Sequence, residues 1–432
     1  VSEVGGGLGL CTDLYELTMG AAFVDEGRAD ETVTFDLFVR SLPAARPYLV
    51  ACGIRTALER VAAFTYGAEA LAYLATLELF DNAFLDRLAA LRFRGEIRAV
   101  AEGERVYAGE PLLSVTGPLL EAQLLETLLI NAVGFETMVA SKAAVVARAC
   151  RGRRFVDFSA RRDHGLDAAV HAARAAFVGG ASATSFVEAG RRFAIPVAGT
   201  MAHSYVMAHG SEEAAFRAFL GRYGARAVLL VDTYDTADGV RRACAAMRDT
   251  GVLARGIRID SGDLAALTVQ AREILDAEGF PSVEILLSGD LDEHRIADIL
   301  DRGAPADSFG VGTRLGTSAD RPYLGIVYKL VEAGGLPRMK RSAGKETLPG
   351  RKQVWRRADH DVLALAGEPG PPGARPLLAT VWSGDGPVGP PEPLAEARAR
   401  AAAELAHDGP WPVHLSTSLD SLVHRLDAAL MP

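Results

Sequence analysis

The chain has 432 residues, of which 49% are hydrophobic and 23% charged, enough length for two or three domains and enough apolar content to bury their cores. A formal net charge of −9 and an isoelectric point near 5.6 argue against a nucleic-acid or anionic-membrane surface and favour small-molecule partners, while the apolar content excludes intrinsic disorder. Cys11, Cys52, Cys150 and Cys244 lie far apart with no CxxC pair, so neither a disulfide framework nor a zinc knuckle is expected, which suits a reducing cytoplasm.

The segment before Leu10 has no basic region, and no uninterrupted apolar run approaches the ~20 residues of a membrane span; neither secretion nor membrane insertion is expected. Arginine greatly outnumbers lysine, a compositional bias to which no function is attached. TDLYELTMGAAF (Thr12 to Phe23) opens on a cap residue, carries Glu16 in its first turns and then turns apolar, which predicts a helix. TVTFDLFVR (Thr32 to Arg40) alternates β-branched and aromatic residues with polar ones and predicts a strand. Helices rich in Ala and Leu are expected from Ile54 to Leu91. From Phe93 to Leu119, glycines at 95, 103, 109 and 117 and prolines at 111 and 118 break the chain into short strands, a small β-rich layer.

Glu121 to Ala149 has helical spacing, and the rhythm then changes to short apolar runs alternating with Ala-rich helices. The predicted strands are Phe155–Phe158, Ala176–Val178, Pro196–Val197, Ala227–Val231, Gly256–Ile259, Val283–Leu287 and Ser308–Val311. Such repetition predicts a parallel sheet or a β/α barrel. Nearly every strand runs into a polar or glycine-rich cluster: DFSARRDHG, GGASATS, GTMAHS, DTYDT, RIDSGDL, SGDLDE and GVGTRLGTS. In a barrel these clusters share one rim, where an active site is built. Beyond Leu330 the composition shifts: Met339 to Arg356 is basic, with Lys329, Lys340, Lys345 and Lys352 in or beside it, and Gly367 to Pro393 is rich in Pro and Gly. A separate C-terminal module or arm is expected.

Two late clusters, Ser288-Gly289-Asp290 and Gly310 to Thr313 with Gly312, place glycines where backbone N–H groups can approach an anion. Each alone is equally a tight turn; at two successive strands they favour a phosphate site. Asp232, Asp235 and Asp260 add carboxylates that can hold Mg²⁺ or ribose hydroxyls, or stabilise a ribosyl cation, with helix capping as the alternative. His203 lies on a turn flanked by Thr200 and Ser204 and is either structural or catalytic. Arg161, Arg162 and Arg258 suit bidentate pairing with a planar carboxylate, or else surface ion pairs.

Taken in order, TDLYELTM, FDLFVR, GEPLLSVTGPLLEAQLLET, the paired arginines, GTMAHS, LLVDTYDT, RIDSGDL, SGDLDE, GVGTRL and YKLV resemble successive blocks of the nicotinate phosphoribosyltransferases, from about Thr12 to Arg356. That resemblance implies an α/β protein: an N-terminal α/β sandwich domain (1–120), an incomplete, TIM-like β/α barrel (121–330) and a C-terminal extension (331–432) that either stands apart or completes the sandwich, assembled as a homodimer with composite sites. It implies that nicotinate is joined to 5-phosphoribosyl 1-diphosphate for NAD salvage, with Mg²⁺ and with ATP as co-substrate acting through a phosphohistidine. By the same resemblance the phosphohistidine is His203, Thr200 and Arg258 meet nicotinate, Tyr15 reaches its ring across the dimer, and Thr313 meets the phosphoribosyl substrate; Arg161, as a rim arginine, is a further candidate for the nicotinate carboxylate. DFSARRDHG and the Ala183 of GGASATS depart from the usual forms of their blocks, which bears on pocket shape. Phosphoribosyltransferases for nicotinamide or quinolinate, and a catalytically silent nucleotide sensor, are the competing readings.

Overall fold

In a computed structural model that describes residues 7–342, 344–384, 386–404 and 411–429, the chain divides into two units, Val1–Ser141 with Tyr323–Pro432 and Lys142–Pro322. The first is built on a seven-stranded sheet in the order Leu336–Pro337, Ile326–Ala333, Thr32–Val39, Pro111–Pro118, Glu96–Ala99, Ala379–Ser383 and Gly386–Pro387, antiparallel throughout. Its inner strand Thr32–Val39 alternates as predicted, yet both of its faces are covered, so its polar positions need partners. Thr34 meets the Thr116 hydroxyl at 3.0 Å, and Asp36 pairs with Lys352 Nζ at 2.9 Å. The apolar positions Val33, Phe35, Leu37 and Val39 join one core with Leu120, Leu124 and Leu128.

Between Ile54 and Leu91 the expected helices are Ile54–Ala62, Ala68–Thr76 and Asn82–Ala89, the last capped by Asp81, which accepts the Phe84 N–H. The predicted β-rich layer is Glu96–Ala99, Arg105–Val106 and Pro111–Pro118. The helical stretch Leu119–Ala149 contains an 18-residue window with a mean hydropathy of 1.3, long and apolar enough to cross a membrane, but 78% of that window is buried, as in a core helix.

The unit boundaries fall at 141/142 and 322/323, whereas the resemblance put domain bounds at 120/121 and 330/331. The reason is packing: Leu124, Leu125, Leu128 and Leu129 belong to the core of the first unit, and Ile326–Ala333 pairs with Thr32–Val39. The C-terminal segment also enters this unit, since Ala379–Ser383 pairs with Glu96–Ala99.

The second unit holds six parallel strands in the order Ala183–Thr184, Arg154–Asp157, Ser308–Val311, Glu284–Leu287, Gly256–Ile259 and Val228–Leu230. The last strand in sequence pairs with the first, which is the closure of a barrel. A parallel bridge from Thr184 to Val197 extends the other edge, and among the described residues no pairing joins that edge to Val228–Leu230. The fold class is thus the expected α/β one, with the barrel incomplete at this seam. One predicted strand is corrected: Ala176–Val178 ends the helix Leu166–Val178, and the strand lies farther on at Ala183–Thr184. A short apolar run has the same local signature in a buried helix and a buried strand, and here the helix continues until Gly179 and Gly180 stop it.

Candidate active site

The strands of the second unit place their C-terminal ends, and so the polar clusters, on one rim. Because alternate residues of a strand share a face, Arg258 and Asp260 project together from the end of Gly256–Ile259. The Arg258 guanidinium is held on several sides. Its Nη1 donates to Thr200 Oγ1 at 2.6 Å and to the Met201 carbonyl at 3.3 Å, its Nη2 donates to Asp260 Oδ1 at 3.0 Å, and its carbon stands 6.0 Å from the Phe158 ring centroid. Its Nε is buried without a partner among the described residues, a donor left over for a ligand.

Asp260 Oδ1 also accepts the Ser288 hydroxyl at 2.5 Å. Burial works to raise this carboxyl, but the Ser288 hydrogen bond and the charge of Arg258, helped by His203, hold it below the usual carboxylate range, so it stays ionised at neutral pH. Asp232, from the neighbouring strand end, accepts the Asp260 backbone N–H at 2.9 Å and the Ser261 hydroxyl at 2.8 Å through Oδ2. Its Oδ1 is buried and unpartnered among the described residues. His203 opens the helix His203–Met207, and its Nδ1 lies 3.2 Å from Thr233 Oγ1, which leaves Nε2 as the nitrogen available for chemistry.

The predicted phosphate turns follow. Ser288 is buried, and Gly289 has φ +97°, where a Cβ would stand 1.8 Å from the Asp260 carbonyl oxygen. Only glycine allows that backbone approach. Asp290 comes next and is exposed. Gly312 precedes the short helix Thr313–Gly316, with Thr313 exposed at its start. A cavity of about 660 Å³ lined by Val156, Phe158, Thr200 and Leu286 also reaches Arg154, Gly256, Glu284 and Ser308, the first residues of their strands, and so extends to the end of the barrel opposite the rim.

The network thus brings together Thr200, Arg258, Asp260, Asp232 and Ser288. Asp235, Arg161 and Tyr15 are not part of this network. Asp235 accepts the Asp238 N–H at 2.9 Å and caps the helix Thr236–Thr250, which is the capping alternative. Arg161 is exposed in the turn after Arg154–Asp157. Tyr15 belongs to the first unit and is 47% exposed, and burial together with the charges of Glu126 and Glu16 pushes its hydroxyl above the usual tyrosine value. Several contributors do not stand out in the sequence: Thr233 beside His203, Phe158 beneath Arg258, and Asp157, a fully buried carboxylate that accepts the Ser159 N–H at 2.9 Å and the Thr184 hydroxyl at 2.8 Å. Their only signal is position at a strand end.

Comparison with known proteins agrees with this architecture. Residues 10–134 match the N-terminal domain of nicotinate phosphoribosyltransferase (NAPRTase), and residues 153–351 match the NAPRTase family. The nicotinate phosphoribosyltransferase pncB2 of Mycobacterium tuberculosis is 44% identical over 378 residues, covering 85% of this chain and 81% of the relative. The Homo sapiens nicotinate phosphoribosyltransferase is 31% identical over 524 residues, covering 98% of this chain and 97% of its own. The crystal structure of human nicotinic acid phosphoribosyltransferase superposes with a TM-score of 0.86 at 29% identity, covering 96% of this chain and 99% of that one.

Proposed function

This chain belongs to the nicotinate phosphoribosyltransferase family, and from that premise we propose that it joins nicotinate to 5-phosphoribosyl 1-diphosphate, giving nicotinate mononucleotide and diphosphate in NAD salvage. The observation that carries the reading is Arg258, fixed by Thr200 and Asp260 with its Nε still unpartnered among the described residues. A guanidinium so held can pair with the planar carboxylate of nicotinate and set the ring nitrogen toward the sugar. The nitrogen lone pair forms the bond to ribose C1 as the bond from C1 to the diphosphate oxygen breaks, so positive charge builds on the sugar and negative charge on the leaving group. The ionised Asp260 supplies a carboxylate beside the cationic centre, and the turns at Ser288-Gly289-Asp290 and Gly312-Thr313 supply backbone donors for phosphate oxygens.

Mg²⁺ bound to the diphosphate would neutralise the leaving group. The buried Asp232 Oδ1, unpartnered among the described residues, fits such a cation, whereas Asp235 spends an oxygen on its helix cap. ATP coupling is assigned to His203: transfer of the terminal phosphoryl group of ATP to Nε2 would release ADP and change the turn that carries Thr200 and His203, and hydrolysis of the phosphohistidine to phosphate would reset it. Tyr15 is assigned to the nicotinate ring of the partner in a homodimer.

The deciding experiment measures diphosphate release from 5-phosphoribosyl 1-diphosphate with nicotinate, nicotinamide or quinolinate, each with and without ATP. Turnover with nicotinate, stimulated by ATP, is expected, and Arg258→Ala should cost about 2–5 kcal/mol of transition-state stabilisation. Equal turnover with nicotinamide would show that no carboxylate pair selects the acceptor, and no turnover with any acceptor would leave a silent sensor.

A further inference from the structure

Five of the 46 basic residues are lysines, and one of them, Lys142, is 2% exposed in the second unit. Its ammonium meets three carboxylate oxygens: Glu293 Oε1 at 2.7 Å, Glu293 Oε2 at 2.6 Å and Asp320 Oδ1 at 2.8 Å. A compact ammonium with three N–H directions matches three converging oxygens, where the planar fork of the arginine that this chain otherwise favours does not. The two acids are not neighbours in sequence. Glu293 opens the helix Glu293–Asp301, directly after the turn Ser288 to Asp292. Asp320 ends the segment that begins at Gly310 and contains the helix Thr313–Gly316. A second, more exposed pair links the same segments, Arg314 to Asp292 at 3.1 Å.

We infer that Lys142 is a positioning residue for the phosphoribosyl diphosphate site: its buried ammonium clamps the two phosphate turns to each other and sets the spacing of their backbone donors. The inference rests on the functional reading above. Without the ammonium, the positive charge that joins Glu293 to Asp320 is lost, and two carboxylates, one of them buried, are left facing each other across the turns. The nicotinate contacts, at Arg258 and Thr200, are not part of this clamp.

The test is steady-state diphosphate release with the full chain and Lys142→Met, which keeps the length of the side chain and removes its charge. The expected result is a KM for 5-phosphoribosyl 1-diphosphate raised roughly tenfold or more, with the KM for nicotinate changed less than about twofold. A merely structural role would reduce the folded fraction, and hence kcat, and leave both KM values in place; that result overturns the inference. Should Lys142→Met fail to fold, Asp320→Asn keeps the Lys142–Glu293 pair and removes the charge that holds the second turn to it, with a rise of roughly fivefold expected in the same KM alone. A folded Asp320→Asn variant with unchanged KM values sinks the clamp. If the parent chain itself does not bind 5-phosphoribosyl 1-diphosphate by calorimetry, the functional reading falls and the clamp with it; if the parent binds and the variants bind equally well, only the clamp falls.

Discussion

At the scale of single residues, the rim works by giving similar side chains different tasks. Asp232, Asp235, Asp260 and Asp163 all follow strands, yet one accepts from the Asp260 backbone, one caps a helix, one pairs with Arg258 and one sits under Gly316. His203 is the residue with a spare nitrogen. On the proposed reading it serves the coupling step and not bond exchange at the sugar, so His203→Ala is expected to lose ATP stimulation while keeping a slow ATP-independent reaction; full retention of stimulation in the same assay would refute that role. Asp163 gives a pH signature. Burial, with Asp157 adding to it and the Ser159 hydroxyl opposing, pushes its carboxyl up from 3.8 to about 6. The folded state therefore favours the neutral acid, and the stability this contributes is complete below about pH 3.8 and lost as pH rises through about 6. Asp163→Asn keeps the shape without the charge. Its midpoint of thermal unfolding should match the parent at about pH 4 and exceed it at about pH 8 by several degrees; equal midpoints at both would show that the carboxyl is not held neutral.

At the scale of elements, what matters is how turns are set against strand ends. The turn at Gly289 lies on the Asp260 backbone, so an added methyl must displace either the turn that carries Ser288 or the strand end that carries Asp260. Gly289→Ala is expected to lower kcat/KM at least about 100-fold, as misplacement of reacting groups does, and to destabilise the fold by more than about 1 kcal/mol. Gly303 has a similar φ of +79°, but a methyl added there would have nothing within 4 Å. Gly303→Ala should cost only about 1 kcal/mol and leave turnover intact, and equal kinetic effects from both changes would show that φ alone, not the contact with Asp260, is at issue.

At the scale of the molecule, the first unit gathers its sheet from both ends of the chain. Trp382, 2% exposed, packs at a strand that pairs with Glu96–Ala99, so the C-terminal segment is part of the core. The same unit carries Tyr15, and the composite site assigned to a homodimer makes a specific demand. Subunits with Tyr15→Ala, mixed with subunits carrying Arg258→Ala, should regain one intact site per mixed dimer and a measurable share of activity. A self-contained site predicts no recovery above the two parents, which would return Tyr15 to a packing role.

Local physics made much of this protein legible in its sequence. The period-2 pattern of Thr32–Val39, the strands ending at Asp157, Ile259, Leu287 and Val311, and the polar clusters after them are properties of a few neighbouring residues, and those elements stand where the pattern put them. The order of the blocks likewise pointed to the family. Tertiary structure decided the rest, because it depends on what is brought near across long separations. Ala176–Val178 has the composition of a strand, but the helix before it had no reason to stop until Gly179. Asp232 and Asp235 look alike in DTYDT, and only the neighbouring strand end with Asp260 and Ser261 separates them. The unit boundaries follow from pairing between Ile326–Ala333 and Thr32–Val39, and the partners of Lys142 lie at 293 and 320. Periodicity carries no information about such distant pairs; the energy that selects them appears only once the chain has closed.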